Sequence, residues 1–186
     1  MCASLLAAAA GTLTACGTSK RAGSPPLPAA ARGASTSSYL PPDKRTFTPA
    51  LSGTTLTGER IDITGMRGHV VVINVWGSWC APRREEAPQL ARLAEETPSL
   101  GVKSLGVDIR DSRTAALAFE RNFHITYPSI YDPISRAMLG FKSMAPRAVP
   151  TTYVLDQPGK IAAYSLGPLT YEGFLPIIKA IAAEKA

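Results

Sequence analysis

Residues 70–83 read VVVINVWGSWCAPR and carry the strongest structural signal in this chain. The run Val70–Trp76 is apolar except for Asn74, as expected for a strand that is covered on both faces of a sheet. Helical spacing begins just after Cys80, and Pro82 suits the first turn of a helix because its missing N–H removes no hydrogen bond there. Cys80 is therefore predicted to lie between a buried strand and a helix N-terminus, where the helix dipole favours a thiolate.

The pattern after residue 46 alternates between strand and helix signals. Strand signals, of which the first two form an N-terminal β-hairpin, cover residues 47–51, 56–63, 102–107, 150–155 and 161–166. Helix signals begin after residue 80 and near residues 112, 134 and 171, and the first helix is expected to kink at Pro88. This order predicts an α/β fold in which a central mixed β-sheet carries helices on both faces.

Composition divides the chain into three parts. Residues 1–15 form a signal segment whose apolar run is far shorter than the ~20 residues needed to span a bilayer. Residues 16–46 are rich in Ala, Ser, Thr and Pro. They are predicted to be a disordered tether, because they cannot bury enough apolar surface to offset the entropy of ordering. Residues 47–186 are predicted to be one domain. The hydrophobic content of the chain, 45%, is enough to form its core.

The net charge of +6 is concentrated in the tether. Residues 16–46 carry five basic side chains and one acidic one, a net charge of +4, which leaves +2 for residues 47–186. The domain has no basic stripe interleaved with aromatic residues, so nucleic-acid binding is not predicted. The basic tether instead suits the surface of an anionic membrane.

The stretch Leu13-Thr14-Ala15-Cys16 resembles the lipobox of bacterial lipoproteins. That resemblance implies that Cys16 is lipidated on its sulfur and anchors the mature chain to the cell membrane. The alternatives are an ordinary cleaved signal peptide, which would give a secreted protein, and a disordered Ala-rich end. If Cys2 is removed and Cys16 is lipidated, Cys80 is the one free thiol left of three cysteines, and no intramolecular disulfide can form.

Three motifs together resemble the TlpA/ResA-like thiol–disulfide oxidoreductases, a family with the thioredoxin-like fold. They are the strand and turn of residues 71–80, the helical residues 84–88 (REEAP) and the segment 149–156 (VPTTYVLD). The resemblance covers residues 47–183, and residues 101–131 fit the family's extra strand–helix insertion. It implies that Pro150 is a cis-proline facing the thiol and that the Val149 backbone pairs with a bound peptide. Trp79 would flank the thiol as an apolar platform, or else pack in the core.

Two further polar residues are singled out by the resemblance. Asn74 occupies the strand position at which thioredoxin has a buried aspartate, and it is taken as structural because an amide cannot act as a general base. Glu86 either tunes the thiol or binds partners, as helix carboxylates of the family do, or lies on a solvated helix face. His69 and His124 lack the spacing of a metal site, so neither a metal nor another cofactor is predicted.

Arg83 stands where a Cys-x-x-Cys motif has its second, resolving cysteine. Three interpretations remain open. The chain is a monothiol enzyme in which the adjacent guanidinium favours the Cys80 thiolate. Alternatively, it is a binding protein that captures partners without turnover. In the third interpretation, Arg83 is a single-codon change of an ordinary Cys-Ala-Pro-Cys sequence.

These features together predict a membrane-tethered, extracytoplasmic thiol–disulfide oxidoreductase. Cys80 would attack a disulfide, and an external thiol would resolve the mixed disulfide. The expected partners are extracytoplasmic protein disulfides or thiols, such as an apo-cytochrome or another redox protein, and the family implies a monomer. The alternatives are a redox-inactive binding protein and a peroxide reductase acting through Cys80, although Gly77 stands where such peroxidases usually have threonine.

Overall fold

The computed structural model describes residues 36–184. The strands are β1 (Thr36–Tyr39), β2 (Ser52–Thr54), β3 (Arg60–Asp62), β4 (Val70–Trp76), β5 (Val102–Ile109), β6 (Ser129–Asp132), β7 (Thr151–Leu155) and β8 (Ile161–Leu166). The α-helices are α1 (Ala81–Glu96), α2 (Arg113–Asn122) and α3 (Tyr171–Ala182), and 3-10 helices cover Pro42–Lys44, Ile63–Met66, Pro98–Leu100 and Ala137–Met144. The predicted signal segment, Cys16 and the first part of the tether lie outside the described residues.

Strand β4 lies inside a six-stranded mixed sheet of order β1-β8-β7-β4-β5-β6. It runs parallel to β5 and antiparallel to β7, and all seven of its residues are buried. The register pairs Trp76 with Asp108 on β5 and Val75 with Thr151 on β7. The segment that leaves β4 toward Cys80 therefore lies beside the end of β5 and the start of β7.

The two faces of the sheet are covered differently. On one face, Val70 and Val72 pack against α1 and α3, and Trp76 packs against α1 and against Phe119 of α2. The other face, which includes Ile73, packs against residues of the β2–β3 region and of the 137–144 segment, namely Leu51, Ile63, Met138 and Phe141. The predicted mixed sheet with helices is confirmed. A hairpin, β2–β3, is present, but its first strand follows the predicted residues 47–51, and the helices on the second face are 3-10 helices.

The folded part begins earlier than residue 47, so the predicted end of the tether is corrected. Strand β1 pairs antiparallel with β8 at the sheet edge. Arg45 is buried, and its guanidinium donates to Asp156 at 3.2 Å and to Glu184 at 2.8 Å. The composition of residues 36–46 did not indicate that they fold. Their folding depends on pairing with the exposed edge of a distant strand and on an ion pair with distant carboxylates.

Replacing Arg45 by methionine is expected to lower the free energy of unfolding by about 2–3 kcal/mol. Hydrogen bonds to charged groups are worth about 1.5–3 kcal/mol, and Asp156 would lose its cation. Urea denaturation measures the change. Lys44→Met is the matched control, because its ammonium is largely exposed and lies 3.7 Å from Asp43, and it should shift stability by less than about 0.5 kcal/mol. If the two variants are equally stable, residues 36–46 belong to the tether and not to the folded domain.

Smaller differences concern single elements. Strand β6, which was not predicted, pairs parallel with β5 at the far edge of the sheet. In place of the predicted helix at residues 134–139, Ala137–Met144 forms 3-10 turns that are interrupted at Lys142, where φ is 48°. Phe47 forms an isolated bridge to Lys160 instead of beginning a strand. Helix α1 runs to Glu96 with Pro88 inside it, in agreement with the helical spacing of the sequence. Within residues 36–184, no helix combines the length and hydrophobicity that crossing a membrane requires.

Candidate active site

Cys80 lies directly before helix α1, after the turn that leaves β4. Its backbone N–H donates to the carbonyl of Gly77 at 3.1 Å, and it occupies the N-cap position of the helix. The residue is only 6% exposed, and its Sγ donates to the carbonyl oxygen of Val149 at 3.1 Å. The thiol therefore sits at the helix N-terminus predicted for it and faces the loop before β7. Pro82 lies in the first turn, as expected.

The loop that faces the thiol contains the predicted cis-proline. The Val149–Pro150 peptide bond is cis. The loop is held by two hydrogen bonds, from the Thr151 hydroxyl to the Ala148 carbonyl at 2.7 Å and from the Gly167 N–H to the Pro150 carbonyl at 2.9 Å. The structure thus brings together Cys80, Val149 and Pro150, which are about 70 positions apart in the chain.

Trp79 projects from the turn toward solvent. It is 51% exposed, its indole N–H donates to the Ile109 carbonyl at 3.2 Å, and the Arg110 guanidinium lies 5.2 Å from the ring centre. A Cβ at Gly77 would lie 2.3 Å from the indole nitrogen, so this close approach requires glycine. The exposure of Trp79 contradicts the core-packing interpretation and suits contact with a partner bound at Cys80.

Arg83 points into the protein core. Its side chain is fully buried, and its guanidinium donates to Glu86 Oε2 at 3.1 Å and to the Tyr127 hydroxyl at 3.2 Å. It also lies 5.3 Å from the centre of the Trp76 ring and 5.6 Å from that of Phe119. Among the described residues, its Nε has no hydrogen-bond partner. The guanidinium is thus a paired component of the core and not a surface charge.

Glu86 is fully buried, so the prediction of a solvated helix face is wrong. Its Oε2 also accepts from Asn74 at 3.2 Å, and its Oε1 accepts from the Leu169 N–H at 3.2 Å. Burial raises the pKa of Glu86, and Arg83, the Leu169 N–H and Asn74 oppose that rise. Asn74 in turn donates to Thr152 Oγ1 at 2.8 Å. A buried polar network therefore connects α1, β4 and β7 behind the active-site turn.

Sequence reasoning missed three polar side chains near this network. Tyr127 binds Arg83, Asp108 is fully buried at the end of β5, and Asp111 accepts from the Ser78 N–H at 2.6 Å. The side chain of Ser112, and not that of Asp111, caps α2. One signal in the sequence could have identified Asp108, which directly follows an apolar strand predicted next to β4. The carboxyl ends of neighbouring parallel strands meet at one sheet edge, so a carboxylate there is expected near the active-site turn.

No group of three His, Cys, Asp or Glu side chains within residues 36–184 is arranged to hold a metal ion. A thiol at a helix N-terminus, facing a cis-proline loop at the end of a mixed sheet, is the arrangement of a thioredoxin-like protein with a cysteine active site. Residues 45–164 match the model of the AhpC/TSA family. The chain belongs to this family.

Known relatives agree with this assignment. The thiol-disulfide oxidoreductase ResA of Bacillus subtilis is 29% identical over 113 residues, which are 61% of this chain and 62% of ResA. The thiol:disulfide interchange protein DsbE of Allochromatium vinosum is 32% identical over 117 residues, 62% of this chain and 61% of DsbE. This chain therefore spans slightly less than two thirds of the length of these two curated relatives.

Solved structures extend the similarity to the fold. A secreted thiol-disulfide isomerase from Corynebacterium glutamicum superposes with a TM-score of 0.75 at 31% identity, covering 80% of this chain and 92% of that one. A DsbF homologue from Corynebacterium diphtheriae gives 0.73 at 31% identity, covering 80% and 95%. The predicted thioredoxin-like fold and the resemblance to ResA-like oxidoreductases are confirmed.

Proposed function

We propose that this protein is a thiol–disulfide oxidoreductase that works through the single thiol of Cys80. The observation that carries the proposal is the 3.1 Å contact between Cys80 Sγ and the Val149 carbonyl, beside the cis Val149–Pro150 bond. Once the thiol has reacted, that carbonyl is free to accept a hydrogen bond from the N–H of a bound peptide. The names of relatives such as ResA support the same activity.

The proposed first step is nucleophilic substitution at sulfur. The Cys80 thiolate attacks one sulfur of a substrate disulfide, a new S–S bond to Cys80 forms as the substrate S–S bond breaks, and the second substrate sulfur leaves as a thiolate. An external thiolate then attacks the Cys80 sulfur and releases the first substrate sulfur, and a second external thiolate frees Cys80. Over the cycle, the substrate disulfide is reduced and two external thiols are oxidised to a disulfide.

Arg83 makes the external thiol necessary. Cys80 is the one free cysteine among residues 36–184, and the first turn of α1 offers no second sulfur. The mixed disulfide would persist until another thiol arrives, so the protein would hold its partner longer than a dithiol enzyme does.

The proposed place of action is the outer surface of the cell membrane. The lipobox-like residues 13–16 support an anchor at Cys16, and the similar isomerase of C. glutamicum is described as secreted. The residues between Cys16 and β1 would form the tether. Partners would be extracytoplasmic proteins with accessible disulfides or thiols, an apo-cytochrome among them, and the protein would act as a monomer.

Trapping the mixed disulfide tests this proposal. The purified chain, incubated at pH 7.5 with a peptide disulfide and no reductant, should gain a peptide adduct that mass spectrometry of proteolytic fragments places on Cys80. Cys80→Ser is nearly isosteric and should gain no adduct at this position, whereas Cys16→Ser should react at Cys80 as the unchanged chain does.

Each alternative function has its own outcome. An unmodified Cys80 would exclude the enzymatic proposal and favour a binding protein, for which Cys80→Ala would still capture the same partners. Consumption of hydrogen peroxide with an external thiol, without any exchange with disulfides, would favour a peroxide reductase instead.

A further inference from the structure

Asp108 is a buried carboxyl group that the proposed exchange reaction does not use. It is 0% exposed and lies opposite Trp76 at the end of β5, one strand away from the segment that leads to Cys80. Neither of its oxygens accepts a hydrogen bond from a donor among the described residues. A buried carboxylate without a donor costs several kcal/mol in general, so a neutral, protonated form is strongly favoured at such a site.

Asp111, three residues after Asp108, contacts the active-site turn. One oxygen of Asp111 accepts from the Ser78 N–H at 2.6 Å, and the other accepts from the Ser112 N–H at 2.8 Å. Ser78 lies inside the turn that the Cys80 N–H closes on the Gly77 carbonyl. Asp111 therefore links the turn before Cys80 to the start of α2.

We propose that Asp108 is a positioning residue that acts in its protonated form. Its carboxyl O–H donates to the Asp111 carboxylate and holds Asp111 on the Ser78 N–H, which keeps the turn before Cys80 in place. When Asp108 loses its proton to solvent, two adjacent carboxylates repel each other and the hold on Ser78 weakens. The turn that carries the thiol thus responds to the protonation of a group that does not touch substrate.

The electrostatic surroundings support this assignment. Burial, and then the negative charge of Asp111, raise the pKa of Asp108 to about 8. The charged groups that face Asp108 are Asp111, which follows β5, and Glu120 on α2, and both favour its neutral form. Arg83 acts on Glu120, whose own pKa is raised by burial. Asp108 is therefore neutral through most of the neutral pH range and ionises in mildly alkaline solution.

The test is a pH titration of the full chain carrying Cys80→Ser, which removes the nearby thiol, followed by the amide resonance of Ser78 in ¹H–¹⁵N NMR spectra. With Asp108 unchanged, this resonance should shift in one step with a midpoint near pH 8. Asp108→Asn keeps a donor for Asp111 but cannot ionise, so the step should disappear while the resonance stays near its low-pH position. Asp108→Leu removes the donor and should displace the Ser78 resonance at every pH.

The absence of a step when Asp108 is unchanged would overturn the proposal. Persistence of the step in Asp108→Asn would equally overturn it, by assigning the step to another group. The expected effect of Asp108 on Cys80 reactivity rests on the proposed function, whereas its effect on the turn does not. The rate of Cys80 adduct formation in the unchanged protein, divided by the rate in Asp108→Asn, should change near pH 8, because ionisation of the thiol affects both rates. A Ser78 step together with an inert Cys80 would refute the proposed function and leave the Asp108–Asp111 contact standing.

Discussion

Replacing Arg83 by methionine is expected to lower the free energy of unfolding at pH 7 by about 3–5 kcal/mol. Removing one partner of a buried ion pair leaves the other charge uncompensated, and this loss exceeds what a surface pair contributes. Here the partner left behind is Glu86, which is as fully buried as Arg83 itself. Tyr127 would also lose the guanidinium that its hydroxyl binds. Methionine fills part of the space between the Trp76 and Phe119 rings, so the loss is mainly electrostatic.

The predicted loss depends on pH in a definite direction. Burial already raises the pKa of Glu86, and Arg83 opposes that rise, so in Arg83→Met the folded-state pKa should rise further. A carboxyl group with a raised folded-state pKa contributes stability below its unfolded pKa of ~4.3 and loses it as the pH rises toward the folded value. The destabilisation should therefore be small near pH 4 and grow toward pH 7.

Denaturant unfolding at several pH values measures this dependence. Arg83→Met combined with Glu86→Gln is the matched variant, because the amide keeps the shape of Glu86 and carries no charge. It should recover part of the lost stability at pH 7 and show less pH dependence than Arg83→Met. If Arg83→Met unfolds with the same free energy as the unchanged protein at pH 7, the buried ion pair does not stabilise this core.

Introducing a cysteine at position 83 is expected to accelerate release of the Cys80 mixed disulfide by about 100-fold or more in 1 mM external thiol. A well-oriented intramolecular group acts at an effective concentration far above millimolar, so a second thiol three residues away would outcompete the external one. The simple variant Arg83→Cys leaves Glu86 without its cation. The informative protein is therefore Arg83→Cys combined with Glu86→Gln.

Release of a fluorescent peptide from the preformed mixed disulfide gives the rate directly. Glu86→Gln alone is the control, because it lacks the new thiol and should release the peptide as slowly as the unchanged protein. Fast release would show that the resolving sulfur is the missing component of an otherwise complete exchange site. Release that stays slow, in a variant whose folding is verified by circular dichroism, would show that the site is adapted to retain its partner.

Much of the fold was predictable because its signals are local. The apolar run Val70–Trp76 and the helical spacing after Cys80 correctly predicted a buried strand followed by a helix, and Val149–Pro150 was correctly predicted as the cis bond. Strands β1 and β6 were not predicted. Both lie at sheet edges and are only four residues long, and they depend on pairing with strands distant in sequence.

The candidate site was also predictable only where its signals are local. Local patterns placed the thiol at a helix N-terminus, because burial of a strand and the start of a helix depend on the order of neighbouring residues. They could not specify what surrounds the residues next to it. Arg83 and Glu86, three positions apart on one helix, could equally have faced solvent.

Packing against the sheet buries both side chains together. It brings Tyr127 to the guanidinium and Asn74 to the carboxylate from segments on other parts of the chain. A buried charge is tolerated only where polar or oppositely charged side chains bind it. Here those side chains come from distant parts of the chain, so only the assembled fold brings them into contact.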